Sequence, residues 1–108
     1  MAHDVAYKRP GEELDYEFDF TEELPDDAGV TLAATTVTAI DSSGASATAT
    51  IVGTITESTT SLLVSVILQA GIDGETYLVT CHAQGVTSLL DREKTLDLRV
   101  RSKIVGNM

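Results

Sequence analysis

Apolar and polar side chains trade places at every second position across residues 14–20. Leu14, Tyr16, Phe18 and Phe20 point one way; Asp15, Glu17 and Asp19 point the other. An extended chain presents successive side chains to opposite faces, so this run predicts a strand with one buried and one wet face. On a helix the four large apolar groups would scatter around the axis. The same period returns in 75–84, with Tyr77, Val79, Cys81 and Ala83 inward. It returns again in 95–101, with Leu96, Leu98 and Val100 inward and Asp97, Arg99 and Arg101 outward. Residues 61–69 are apolar on both faces, and there the period alone does not separate a buried strand from a short helix; β-branched content and the following Gly71 favour strand.

Two further strands are expected in the Thr-rich stretches 30–40 and 47–56, the latter disturbed by a bulge or bend at Gly53. Turn signals separate the runs: Pro25-Asp26-Asp27 with Gly29, then Asp41-Ser42-Ser43-Gly44, then Gly71-Ile72-Asp73-Gly74, then a hairpin loop over 85–91. The reading is therefore all-β, six to seven short strands in an immunoglobulin-like antiparallel β-sandwich, with no convincing helix. Residues 1–11 read as an N-terminal arm, 12–102 as the sandwich and 103–108 as a flexible tail.

Composition sharpens this picture. Val, Ile and Thr supply 31 of 108 residues, and these side chains pack well on a pleated surface while losing freedom in a helix. The formal net charge is −10, which argues against nucleic acid and against an anionic membrane surface as partners. No apolar run approaches the roughly 18 residues of a membrane span, and the first nine residues hold no apolar leader segment. The single cysteine, Cys81, excludes an internal disulfide.

The charges are segregated along the chain. Nine acids and no base lie between Glu12 and Asp27, whereas Arg92, Lys94, Arg99, Arg101 and Lys103 cluster near the end. Opposite charges on neighbouring strands attract, and first and last strands commonly adjoin in an immunoglobulin-type sandwich, so 14–20 is expected beside 95–101. Tyr77 follows a tight turn at the start of a late strand. This is the place of a tyrosine corner, whose ring enters the core while its hydroxyl meets an upstream backbone group.

Reactive chemistry is sparse. Cys81 and His82 are adjacent on a strand and face opposite ways, so they do not share a zinc ion, and no catalytic or cofactor-binding residue is assigned. The Ser residues lack a Gly-x-Ser-x-Gly elbow, and the glycines form no phosphate-binding fingerprint. The acids Glu22, Glu23, Asp26 and Asp27 are the one cluster with the oxygen-rich character calcium takes, against the simpler reading of a solvated acidic face.

Three stretches carry a family resemblance. Lys8-Arg9-Pro10-Gly11-Glu12-Glu13-Leu14-Asp15-Tyr16-Glu17-Phe18-Asp19-Phe20 combines a basic-Pro opening with an alternating acidic-aromatic strand. Gly74-Glu75-Thr76-Tyr77-Leu78-Val79-Thr80 and 91–101, ending Leu96-Asp97-Leu98-Arg99-Val100-Arg101, supply two later strands. In order and spacing these resemble the fibre–tail adaptor type of virion protein of tailed phages and prophages. The resemblance implies an immunoglobulin-like module without catalytic residues, made in the bacterial host cytoplasm and built into the virion. It also implies docking on other virion proteins (tail tube, connector or fibre), with the chain present in several copies as a homo-oligomer. By position, the contact residues are expected to be Tyr7, Lys8 and Arg9 in the arm, the last two against a neighbour's acids, and the loop tips at Pro25, Asp26, Asp27, Ser43, Gly44, Thr87 and Ser88. An immunoglobulin-like adhesin recognising a protein or glycan is the alternative reading.

Overall fold

Seven strands and a single helical turn form two sheets in the computed structural model, which describes residues 4–32 and 34–103. The strands are β1 (Asp4–Lys8), β2 (Leu14–Asp19), β3 (Thr36–Ile40), β4 (Val52–Thr56), β5 (Leu63–Leu68), β6 (Thr76–Gln84) and β7 (Asp91–Val100), with the turn α1 (Thr48–Ile51) between β3 and β4. One sheet has the order β1-β7-β6-β3 and the other β2-β5-β4. The orders β7-β6-β3 and β2-β5-β4 are those of strands G, F, C and B, E, D in an immunoglobulin-type sandwich. All ladders are antiparallel except β1 on β7, which is parallel.

Most of the inward residues read from period enter the core, joined by one face of β5, while Leu14 and Tyr16 are half-buried at its margin. Phe18, Phe20, Val64, Val66, Leu68, Val79, Cys81, Leu96 and Leu98 are all buried, contributed by both sheets. Burying a side chain of this kind is worth roughly 1.5–3 kcal/mol, so the alternation supplies the main driving force for closing the two layers. The β4–β5 register shifts between Val52 and Ile55, the bulge expected at Gly53. The corner also forms: Tyr77 is buried, and its Oη accepts the backbone N–H of Ile72 at 3.1 Å.

Three expectations are corrected. Residues 14–20 do not lie beside 95–101: β2 pairs with β5 in the other sheet, with Asp15 opposite Ile67 and Glu17 opposite Ser65. The strand beside β7 is β1, with Tyr7 opposite Arg99, so residues 4–8 of the expected arm form an edge strand. The acidic and basic segments do meet, but at one end of the molecule, where Lys94 Nζ lies 3.5 Å from Glu23 Oε2 and donates to the Asp19 carbonyl at 2.9 Å. The strand expected over 47–56 begins as α1, because Thr50 and Ile51 both donate to the Ala47 carbonyl. The strand expected over 30–40 is regular only in β3; Val30 makes an isolated bridge to Gly85, and Thr35 Oγ1 donates to the Thr31 carbonyl and turns the chain back. His3, Ala33 and the tail segment 104–108 lie outside the described residues.

Candidate functional site

Sandwich topology gathers the loops 20–35, 57–62 and 85–90 at one end of the molecule. Asp27 organises that end. Its Oδ1 accepts the backbone N–H groups of Thr87 at 2.7 Å and Ser88 at 2.9 Å, and its Oδ2 accepts Ser88 Oγ–H at 2.7 Å. Bonds from Ser88 and Thr87 stabilise the charged form, and the Asp27 carboxyl is held below its ordinary value of 3.8. Two other links clamp the same loops: Val86 N–H donates to the Gly29 carbonyl, and Thr31 N–H to the Gln84 carbonyl.

Gly85 makes this approach feasible. A Cβ built there would stand 2.2 Å from Asp27 Oδ2 and 2.7 Å from Ser88 Oγ, so any side chain would expel the carboxylate. Three expected contact residues, Asp27, Thr87 and Ser88, are thus brought together, with Pro25 and Asp26 exposed alongside. The same geometry bears on the acids of this loop, among the described residues. Asp27 turns inward onto Ser88, and Glu23 faces Lys94, so the four acids do not converge.

The other expected contact residues lie at the opposite end. Asp41 Oδ1 accepts the N–H groups of Ser43 and Ala45 at 2.9 and 3.0 Å, shaping the Ser43-Gly44 tip, where Gly44 has φ +90°. Tyr7 is 48% exposed; Arg99 sits 5.8 Å from its ring centroid and donates from Nη1 to its Oη at 3.2 Å. The Arg9 guanidinium reaches Glu12 at 3.5 Å, and both are exposed.

Lys8 departs most from expectation. It is only 1% exposed, and its ammonium donates to the carbonyls of Arg9, at 2.7 Å, and Ala70. Burial pushes its pKa down, partly opposed by Glu12. In the isolated chain the Lys8 ammonium is spent on backbone carbonyls of its own chain.

Side chains with chemical potential are otherwise committed to structure. Cys81 is fully buried, and burial, with a smaller contribution from Glu57, pushes its thiol up to about 12. Such a thiol is protonated and inert at neutral pH. His82 Nδ1 lies 3.3 Å from the Ala34 carbonyl, and its Nε2 3.5 Å from Asp91. Among the described residues no three His, Cys, Asp or Glu side chains are grouped to hold a metal ion.

Position-based reading reaches the loop tip 86–90 but misses Leu32 among the exposed leucines of the clamped end. Leu32, Leu89 and Leu90 are 54%, 60% and 49% exposed. Leu32 was hidden inside an expected strand; the adjacent pair Leu89-Leu90 in a turn was the available signal.

A search of curated proteins and of solved structures found no match. The family model described as podophage GP4 fiber-tail adaptor protein gp77 matches residues 8–101, which spans β2 to β7 and the Lys8 anchor. A match over that much of the chain places it: this protein belongs to the podophage GP4 fiber-tail adaptor protein gp77 family, and is a structural adaptor component of a phage virion.

Proposed function

We propose that this chain works by protein–protein contact alone, holding fibre and tail proteins together through the loops at its two ends, with no catalytic step and no binding of nucleic acid or membrane. The observation that carries this reading is the family match over 8–101. Several physical features support it. The core is closed and the thiol buried, and Asp27, Asp41 and Asp73 each spend their carboxylate on shaping a loop. A net charge of −10 disfavours phosphate backbones and anionic lipid. Pro25, Asp26, Thr87 and Ser88 are the contact residues at one end, and Tyr7, Arg9, Ser43 and Gly44 at the other. Synthesis in the host cytoplasm and several copies per particle go with this reading.

Deletion of the gene from the phage is the test. Particles made without the chain should package DNA and lack fibres, and supplying the chain in trans should restore them. Fibres attached normally to particles without the chain would overturn the reading.

A further inference from the structure

Leu89 combines two unfavourable features. It is 60% exposed, and its φ is +59°, the left-handed region that a branched side chain rarely occupies. Glycine at this position would relieve both. Its neighbour Leu90 is also exposed, and Gln84 ties this loop to Thr31, the residue before the exposed Leu32. Gln84 Nε2 donates to the Leu89 carbonyl at 3.2 Å, while the Gln84 carbonyl accepts Thr31 N–H, next to the exposed Leu32. Isolated exposed leucines are ordinary on a protein surface; here three lie on two loops that hydrogen bonds tie together.

The loop over 85–90 is also held still. Asp27 fixes Thr87 and Ser88, Leu89 N–H donates to the Gly85 carbonyl, and Gly85 N–H donates to the Leu90 carbonyl. Presenting leucines from a fixed frame reduces the ordering cost of association.

Charge decides the occupant. Glu22, Asp26, Asp91 and Glu93 are exposed around this end. Its two bases are already engaged: Arg92 donates to the Glu23 and Asp91 carbonyls, and Lys94 faces Glu23 and Asp19. A second copy would bring the same acids against these, and like charges in apposition oppose association.

We infer that Leu32, Leu89 and Leu90 form an apolar plug that docks into an apolar socket, rimmed by Lys or Arg, on a different virion protein. This rests on the adaptor reading and specifies which end docks and what it recognises. The rim acids give attraction that weakens with salt, and the leucines supply the buried contact.

The test is incorporation into particles. Phage are grown with wild-type chain, with the double variant L89G/L90S, or with T38S on the exposed face of β3 as control, and the chain in purified particles is quantified by mass spectrometry. Thermal melting of each isolated chain checks folding. The double variant should melt no lower than wild type, yet its incorporation should fall about tenfold or more, the scale of losing one central contact. T38S should be incorporated normally, and wild-type chain should be released more readily as NaCl is raised. Normal incorporation of a folded double variant would overturn the inference and leave the adaptor reading intact. Absence of wild-type chain from particles would instead defeat the adaptor reading itself. Concentration-dependent dimerisation of the isolated chain, abolished by L89G/L90S, would assign these leucines to a second copy and overturn the partner named here.

Discussion

Tyr77 accepts the backbone N–H of Ile72 through its hydroxyl at 3.1 Å while its ring lies in the core, so one side chain fixes both the start of β6 and the turn that leads into it. Removing only the hydroxyl leaves the Ile72 N–H without this partner. Y77F should therefore cost about 1 kcal/mol in urea unfolding, the usual net value of a hydrogen bond. Y77A also empties the ring's volume and should cost about 3–5 kcal/mol.

Lys8 should behave as a buried structural residue. Replacing it with methionine keeps the stem's packing but leaves the Arg9 and Ala70 carbonyls without their charged donor. K8M should lose about 2 kcal/mol of stability, as expected for hydrogen bonds to a charged group. The exposed R9A should be near neutral, within about 0.5 kcal/mol, since its ion pair with Glu12 is at the surface.

Acid should loosen the loops before it reaches the core. Hydrogen bonds to the charged form hold the Asp27, Asp41 and Asp73 carboxyls below their ordinary value of 3.8. A depressed folded-state pKa stabilises the fold above the unfolded value, and the contribution is lost as pH falls through the folded value. Stability should hold down to about pH 4 and then drop. D27N should flatten that drop and lower the melting temperature at neutral pH, as read by calorimetry across pH.

The Cys81 thiol, at about 12, should resist iodoacetamide in the native state at pH 8 and react once the chain is unfolded. Mass spectrometry of the labelled protein reads this directly. Rapid native labelling would show that the β6 face opens.

Gly29 is a packing requirement of the clamped end. A Cβ there would stand 2.2 Å from the Thr59 carbonyl carbon, and backbone does not give way as a flexible side chain does. G29A should cost about 3 kcal/mol through overpacking.

What was legible in the chain follows from where hydropathy and burial agree. In β2, β6 and residues 95–100 of β7 the apolar side chains face inward and the polar ones outward, so period alone locates them, whereas β7 already begins at Asp91, inside the expected loop 85–91. In β1 the relation is inverted. Lys8 is buried, and Val5 and Tyr7 are exposed, so its alternation signals the wrong face and reads as no strand at all. The rule that first and last strands adjoin holds, but for β1 and not β2. The charge argument likewise found a true attraction and misplaced it: Lys94 reaches Glu23 across the loop end, not along a shared ladder. The Ala-Thr alternation before Ile51 mimics a strand, and only the Ala47 carbonyl collecting two N–H groups makes it a turn. At the candidate site, turn residues announced Asp27, Thr87 and Ser88; their joining required the tertiary bridge of Val30 to Gly85.

The central claim is a place in the virion, and an image of that place tests it most directly. A cryo-electron microscopy reconstruction of the fibre-bearing tail should show this seven-stranded sandwich between fibre and tail, with the Leu89 loop buried against a different subunit. Density at the fibre–tail junction fully explained by other proteins would contradict the account.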